Sequence, residues 1–283
     1  MPPHEYTIRT MTRRELDLVV EWADAEGWNP GRFDADCYFK ADPTGFLVGL
    51  LKGEPIASLS VVKYGKTFAF LGFYRVVPAF RGKGYGLKIW HHGMKTVKDR
   101  NVGLDGVVGQ QANYKTSGFK LAYQNIRYQG TGGGRLPDTH KIVPLARVPL
   151  EQFHAYDRPF FPENRTRFMA SWICQPESYA LGLIQRGTLS GYGMIRQCTK
   201  GYKIGPLFAE NYEQADVLFR ALKSGVSNAD PVFLDTPQIN PGAIALAEHH
   251  GMTPVFETAR MYTGCVPNTS MDRVFGVTSF ELG

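Results

Sequence analysis

Apolar residues along the first half of the chain alternate between the two-residue spacing of strands and the three-to-four-residue spacing of helices. A capping box formed by Thr12 and Glu15 predicts that a helix begins there, and Gly27 predicts its end. The same pattern predicts further elements in this order: a strand at 6–10, two strands joined by a turn at 52–55, a strand at 67–77, a helix after 86, a strand at 104–108, a short helix ending at 118 and a strand at 120–130.

The pattern then restarts in the second half of the chain. Segments 140–157, 179–209, 212–225 and 231–264 repeat the strand and helix order of the first half. Between the copies, residues 131–138 are rich in glycine and read as a linker. We therefore predict two copies of one α/β (α+β) unit, at 1–130 and 139–283, each with a mixed central sheet flanked by helices.

Charge is unevenly divided between the predicted halves. Residues 1–134 carry 18 Lys and Arg against 12 Asp and Glu, whereas residues 135–283 carry 14 of each. The first half is thus expected to handle an anion. No Lys/Arg run and no basic-aromatic interleaving is present, so a phosphorylated small molecule is a simpler partner than nucleic acid.

Cysteine spacing and hydropathy indicate the compartment. The four cysteines are scattered without a CxxC pair or a metal-like spacing, which is typical of reduced thiols and predicts no metal site. The opening residues lack an apolar stretch of signal-peptide length, and no apolar run approaches the roughly 20 residues of a membrane span. We expect a cytoplasmic protein without a membrane partner. The oligomeric state stays open.

The most informative segment is VVPAFRGKGYG, residues 76–86, where a predicted strand gives way to a predicted helix. The first amides of a helix are unpaired, and the helix dipole adds partial positive charge there, so this junction suits a pyrophosphate. Glycines let the backbone approach the ligand closely. A Walker loop would need Lys-Ser/Thr after the last glycine, and a dinucleotide fingerprint would need GxGxxG, so both fit poorly.

The loop and a second motif together resemble the GNAT superfamily of N-acetyltransferases. Arg81-Gly-x-Gly-x-Gly86 resembles its coenzyme A signature, and the Tyr114-x-x-x-Gly118-Phe119 run resembles its Tyr-x-x-x-Gly-Phe motif. The likeness covers residues 6–129. The whole chain resembles a two-lobed branch of the superfamily with a second lobe of the acetyltransferase 18 type.

This resemblance implies an enzyme that transfers an acetyl group from acetyl-CoA to the amine of a small molecule by direct attack. It implies that Tyr114 is catalytic, stabilising the departing thiolate by a hydrogen bond. The residues that it implies for binding of the acyl donor are Tyr74, Arg75, Val76, Val77, Arg81, Gly82, Lys83, Gly84, Tyr85, Gly86, Asn113 and Tyr114. A free backbone amide near 75–77 would polarise the thioester carbonyl.

The second copy departs from the pattern of the resemblance. Its segment 198–216 lacks the glycine loop and places Glu210 and Glu213 near a helix start, where they would repel a pyrophosphate. Aligning Gly251 with Gly118 puts Ala247 at the position of Tyr114. This lobe is therefore expected to keep the fold in degenerate form, without the CoA loop, and to help form the acceptor site.

The general base is not evident from the sequence. Many relatives carry a glutamate on the strand before the loop, but segment 67–77 contains no acidic residue. A base could act through water or come from the second lobe, where the candidates are His154, Asp157, Asp235 and His249. For binding of the acceptor we single out Asp157, Arg165 and Asp235; the aromatic and arginine-rich stretch 155–172 either walls the acceptor site or packs the lobes together.

Two other functions remain open at this point. A non-catalytic, acyl-CoA-binding regulatory module would explain the missing strand glutamate, although Tyr114 counts against it. An acetyltransferase associated with protein or nucleic acid would show steeply salt-dependent binding to nucleic acid.

Overall fold

Residues 6–139 and 141–283 are described by a computed structural model of the chain. In the first half, the strands are β1 (Tyr6–Thr10), β2 (Phe46–Leu51), β3 (Glu54–Tyr64), β4 (Phe68–Val76), β5 (Asn101–Val107) and β6 (Lys120–Thr131). The helices of this half are α1 (Arg13–Ala25), α2 (Asp34–Ala41), α3 (Tyr85–Lys95) and α4 (Gln111–Thr116).

The second half repeats this order of elements. Its strands are β7 (Ile142–Pro144), β8 (Ser178–Gln185), β9 (Thr188–Gln197), β10 (Tyr202–Ala209), β11 (Pro231–Pro237), β12 (Thr253–Tyr262) and β13 (Val274–Gly276). Its helices are α5 (Leu150–Asp157), α6 (Thr166–Trp172), α7 (Tyr212–Ser224) and α8 (Pro241–His249). No helix in these described ranges is long and apolar enough to cross a membrane.

One mixed sheet runs through both halves, because the halves exchange a strand. The strand order is β1-β2-β3-β4-β5-β12-β6-β11-β10-β9-β8-β7, with β13 added beside β10. Strand β12 of the second half pairs with β5, and β6 of the first half pairs with β11. Each half therefore supplies the strand that completes the other, and the strands themselves hold the two copies together.

The predicted fold class is confirmed, as are most of the predicted elements. Helix α1 begins with the predicted capping box, in which Thr12 accepts from the amide of Glu15 and Glu15 accepts from the amide of Thr12. Helices α2 and α6 and strand β13, each of eight residues or fewer, were not predicted. Leu87, an apolar residue in the first turn of α3, is exposed. The division at 131–138 stays a prediction, although Gly132 and Gly133 are tied to the second half by amides that donate to Asp230 and Lys223.

The two faces of the sheet are packed differently. On one face, a continuous core joins both halves, with Tyr38 of α2 stacked on Phe168 and Trp172 of α6. On the other face, α3 covers β2, β3 and β4, whereas α7 covers β8, β9 and β10, and each helix has its own core. Much of the stretch 155–172 lies in the shared core, so it packs the lobes together.

Residues 274–283, called here the crossing segment, are buried throughout and connect the two halves. Its first part is β13, which pairs with β10 at Leu207 and Phe208, and the amide of Val277 then donates to the carbonyl of Asp235 on β11. Its last part lies against the first half, where Tyr64 donates to the carbonyl of Leu282. The crossing segment thus fills the space between β10 and β11 and ends beside β4.

Candidate active site

A cleft opens where β4 and β5 separate. These parallel strands pair from Phe68 with Asn101 to Leu71 with Leu104, and beyond that pair β4 continues to Val76 and β5 to Val107 without further pairing between them. The cavity between their diverging ends has a volume of about 520 Å³. Since the ends of both strands line it, their backbone groups are available to a ligand there.

The edge of β4 along the cleft is shaped by a β-bulge. Pairing with β3 shifts between Ser58 and Ser60, and Phe73 has a φ of 48°, in the left-handed region that non-glycine residues rarely adopt. The buried hydroxyl of Ser58 donates to the carbonyl of Phe73 and holds this conformation. The amide of Val77 donates to the carbonyl of Ile56, so a free amide for a thioester carbonyl has to come from residues before Val77.

The glycine loop closes one end of the cleft, and two different structural requirements explain its three glycines. Gly82 and Gly84 have φ angles of 73° and 81°, and nothing lies within 4 Å of the positions that their Cβ atoms would occupy. Gly86 lies in the first turn of α3, where a Cβ would come within 2.8 Å of the hydroxyl of Tyr74 and 3.0 Å of Cγ2 of Val76. Two glycines therefore form the open turn, and the third lets α3 pack closely on β4.

Glu26 at the end of α1 ties the loop to β4. Its Oε1 accepts from Nε of Arg75 at 2.9 Å and from Nη2 of Arg81 at 2.5 Å, while Nε of Arg81 donates to the carbonyl of Val76. Burial alone would raise the pKa of Glu26, but the hydrogen bonds from Arg75 and Arg81 lower it below its usual value. The carboxylate is therefore charged at neutral pH and holds both arginines beside the loop.

Tyr114 stands across the cleft from β4, on α4. Its ring lies directly over Gly106 of β5, where any Cβ would overlap Cε2 of the ring, and it packs against Trp90 with ring centroids 5.7 Å apart. Its hydroxyl makes no hydrogen bond to any residue within 6–139 or 141–283. Burial, with the nearby Tyr74 adding to it, raises the pKa of Tyr114 to about 12, so the phenol is neutral and can donate a hydrogen bond into the cleft.

The other end of the cleft is apolar with a few polar groups. Four aromatic side chains from both halves line it: Trp28, Phe73, Phe256 and Phe280. Thr258 lines it too, and its buried Oγ1 has no hydrogen-bond partner among the described residues. Such an unsatisfied buried hydroxyl is uncommon and marks a place where a ligand can supply the partner.

Two further carboxylates, Asp105 and Glu281, line this end. Asp105 is buried and accepts from Nε and Nη2 of Arg260 at 2.9 and 2.6 Å and from Nδ2 of Asn125 at 2.8 Å. Burial raises the pKa of Asp105, against the opposing effect of Arg260. Glu281 belongs to the crossing segment and accepts from the hydroxyl of Tyr38 at 3.1 Å.

Most residues predicted to bind the acyl donor lie together around the cleft. Those lining it are Tyr74, Arg75, Val76, Arg81, Gly82, Gly84, Tyr85, Gly86 and Tyr114. Val77, Lys83 and Asn113 do not line it: Lys83 donates to the carbonyl of Ala79, and Asn113 is exposed and donates to Gln110.

The residues predicted to bind the acceptor are not on the cleft wall. Asp157 and Arg165 form a buried ion pair with each other, and Nη1 of Arg165 donates to Oγ1 of Thr278 in the crossing segment. Asp235 forms a buried bidentate pair with Arg127 behind the aromatic wall. The other candidate bases, His154 and His249, lie on α5 and α8 and do not line the cleft either.

In the second half, the position equivalent to the cleft is closed. Strands β10 and β11 pair only from Tyr202 to Ile204, but β13 lies beside the rest of β10. Helix α7 follows β10 after two residues, and its first turn is capped by the side chain of Asn211, while Glu210 pairs with Arg273. Ala247 occupies the position of Tyr114, as predicted: the amide of Met252 donates to its carbonyl just as the amide of Phe119 donates to that of Tyr114.

Sequence reasoning missed the residues that reach the cleft from other elements. Trp28, Phe256, Thr258, Phe280 and Glu281 come from a loop, from the exchanged strand β12 and from the crossing segment. The exchange of the last strand between the two halves, which was not predicted, brings Phe256 and Thr258 to the cleft, and the internal repeat is the sequence signal that could have suggested it. No local pattern marks Glu281.

Comparisons with known proteins agree with this architecture. A family model described as the acetyltransferase (GNAT) family matches residues 9–119, and one described as an acetyltransferase (GNAT) domain matches residues 153–276. The chain is 31% identical over 284 residues to the holothin acyltransferase of Pseudoalteromonas sp. (strain SANK 73390), which covers 100% of this chain and 97% of that protein.

Solved structures share the fold over all or nearly all of the chain. A putative acetyltransferase from Pyrococcus horikoshii superposes with a TM-score of 0.84 at 20% identity, covering 100% of this chain and 98% of the other. A tandem GNAT protein from the clavulanic acid biosynthesis pathway superposes with a TM-score of 0.66 at 15% identity, covering 93% and 100%. At these identities, the likeness concerns the fold alone.

Proposed function

The chain belongs to the GNAT family of acyltransferases as a tandem member, and we propose that it transfers an acetyl group from acetyl-CoA to the amine of a small molecule. The observation that carries this proposal is the open cleft between β4 and β5, with the glycine loop at one end and Tyr114 on its wall. The second half supplies walls to this cleft and has its own equivalent space filled by β13.

The loop end of the cleft binds the coenzyme. The pyrophosphate accepts hydrogen bonds from the amides of 82–86 at the start of α3, where the helix dipole also favours negative charge; the amide of Arg81 already donates to the carbonyl of Pro78. The open space beside Gly82 and Gly84 supports this placement, since no side chain blocks the approach to the backbone. The pantetheine arm then runs along the unpaired edge of β4 toward the point where β4 and β5 separate.

Tyr114 stabilises the departing thiolate by a hydrogen bond. With a pKa of about 12 for the phenol and about 8.5 for an alkyl thiol, full proton transfer from Tyr114 is uphill by about 5 kcal/mol. The neutral hydroxyl, fixed over Gly106 and without another partner among the described residues, is suited to donate to the sulfur as negative charge develops on it.

The aromatic end of the cleft binds the acceptor. Walls of Trp28, Phe73, Phe256 and Phe280 favour an amine carried on an apolar body, with Thr258 offering one polar contact. The relative that is 31% identical is named as an acyltransferase of holothin, which supports a low-molecular-weight acceptor and makes holothin itself a compound to test.

Release of free thiol from acetyl-CoA in the presence of an amine panel tests the proposal. The panel contains alkyl amines, ring-bearing amines and holothin, and longer acyl-CoA donors are run in parallel. We expect thiol release to depend on both the amine and the enzyme, with ring-bearing amines as the better acceptors. Tight acetyl-CoA binding with no acceptor-dependent release would instead indicate a binding module, and release equal with every donor length would contradict the acetyl specificity.

A further inference from the structure

Three carboxylates line the cleft, and they differ in what neutralises them. Glu26 is held by Arg75 and Arg81, and Asp105 is held by Arg260. The carboxylate of Glu281 accepts one hydrogen bond among the described residues, from the hydroxyl of Tyr38, and forms no ion pair there. An ion-paired carboxylate is a poor proton acceptor, because its partner stabilises the ionised form. Glu281 is therefore the carboxylate in this cleft with a side available to a ligand.

Glu281 lies at the point where the two strands separate. Its backbone carbonyl lies against Gly72, so closely that a Cβ on Gly72 would overlap that oxygen. Gly72 is the first residue of β4 beyond the last pair with β5, Leu71 with Leu104. Strands β4 and β5 both border the cleft, and β4 contains no acidic residue. The crossing segment thus places an acidic side chain beside β4.

The carboxylate of Glu281 lies beside one hydroxyl that can donate or accept, and the buried cations Arg127 and Lys203 are near enough to interact with its charge without forming an ion pair with it. Tyr38 has one hydroxyl proton and lies 3.1 Å from both Oε2 of Glu281 and Oδ2 of Asp34. Asp34 is already satisfied by Arg196 and by the amide of Gly31, so the proton of Tyr38 is free for Glu281 when that group is ionised. When Glu281 gains a proton, the same hydroxyl oxygen can turn and accept.

We propose, building on the function given above, that Glu281 is the catalytic residue that receives the proton of the acceptor amine. The amine nitrogen attacks the thioester carbonyl, a C–N bond forms and the C–S bond breaks. The proton lost by nitrogen goes to Glu281, and the electron pair of the C–S bond leaves with sulfur as a thiolate held by Tyr114, which is then protonated from solvent. Glu281 returns its proton to solvent as the product leaves.

Glu281→Gln tests this assignment, because the amide keeps the size and hydrogen-bonding shape of the side chain without its basicity. We expect turnover with the amine to fall about 100-fold or more, while the Kd for acetyl-CoA and the melting temperature stay at their wild-type values. Glu257→Gln is the matched control, since Glu257 is exposed beside Phe256 and Thr258 on the same strand, β12, and its substitution should change none of these.

Glu281→Ala with added formate provides a second readout that a structural role would not give. A small carboxylate can enter the space left by the side chain. Formate should therefore raise the turnover of Glu281→Ala at least tenfold, whereas formamide should not. Wild-type turnover in Glu281→Gln would overturn the assignment. So would loss of acetyl-CoA binding, loss of folding in both variants, or an Ala variant that formate does not rescue. If the wild-type protein acylates no amine at all, the proposed function fails instead.

Discussion

The buried pair of Arg165 and Asp157 is predicted to hold the crossing segment in place, and removing the arginine tests this. The side chains are 2% and 6% exposed. Two hydrogen bonds of 2.9 and 2.7 Å join them, and the third arm of Arg165 donates to Thr278 at 2.9 Å. Thr278 is three residues before Glu281, so the pair links the second half to the end of the cleft.

Arg165→Met keeps most of the side-chain length and removes the charge. Asp157 would then be buried with the hydroxyl of Tyr192 as its remaining donor among the described residues. Breaking a buried ion pair on one side costs about 3–5 kcal/mol. Thr278→Val leaves the pair intact and removes one acceptor from the guanidinium, which should cost about 1–3 kcal/mol.

Urea unfolding followed by tryptophan fluorescence measures these changes, and Trp172 is a buried probe on α6, the helix that starts after Arg165. Arg220→Met is the matched control, because its pair with Asp216 is partly exposed on α7 and should contribute about 1 kcal/mol or less. In the double variant Asp157→Asn with Arg165→Met, the loss should be smaller than the sum of the single losses by about 1 kcal/mol or more.

A cost below about 1 kcal/mol for Arg165→Met, or strict additivity in the double variant, would refute this reasoning. Arg165→Met should also lower turnover with the amine more than it weakens acetyl-CoA binding. The crossing segment contains Glu281, whereas the glycine loop proposed to bind the coenzyme belongs to the first half. Equal losses in both would show that the pair supports the fold without a particular link to the acceptor end.

Three further predictions concern the cleft itself. Tyr114→Phe should lower turnover about 10- to 100-fold with an unchanged Kd for acetyl-CoA, and the wild-type rate should show no decline due to this phenol below pH 11, since its pKa is about 12; unchanged turnover would remove Tyr114 from the mechanism. Gly86→Ala should weaken acetyl-CoA binding at least tenfold in calorimetry, because its Cβ would press on the hydroxyl of Tyr74; Gly109→Ala, with nothing within 4 Å, is the control, and equal Kd values for the two variants would contradict the account. Thr258→Val should raise the KM for the amine a few-fold without loss of stability, since the buried hydroxyl has no partner among the described residues; a destabilised variant with unchanged KM would give Thr258 a structural role.

The parts of the site that could be predicted from sequence are those made by neighbouring residues. The loop at 81–86 is a strand-to-helix junction whose glycines and arginine are contiguous, and Tyr114 stands at a fixed distance before Gly118. Both signals follow from local backbone requirements, such as the positive φ at Gly82, Gly84 and Gly118.

The acceptor end could not be predicted in this way, because it depends on which strands pair. Strand β12 pairs with β5 and β6 of the first half, and no local feature of its sequence specifies these partners, so the exchange that brings Phe256 and Thr258 to the cleft depends on the whole sheet. Asp157 and Arg165 were predicted from the aromatic and arginine-rich stretch 155–172, and Asp235 as a candidate base of the second lobe. The ion pairs that these residues form, and their positions away from the cleft wall, are visible only in the folded structure.

The stoichiometry of acetyl-CoA binding, measured by isothermal titration calorimetry, tests most directly the claim that one cleft serves the whole tandem chain. We predict one site per chain, with no measurable binding in Gly84→Glu, which puts a negative side chain into the open space beside the loop at a φ of 81°. Gly187→Glu imposes the same strain at a φ of 80° in a turn far from the cleft and should bind normally. Two sites per chain, or binding that survives in Gly84→Glu, would contradict the account.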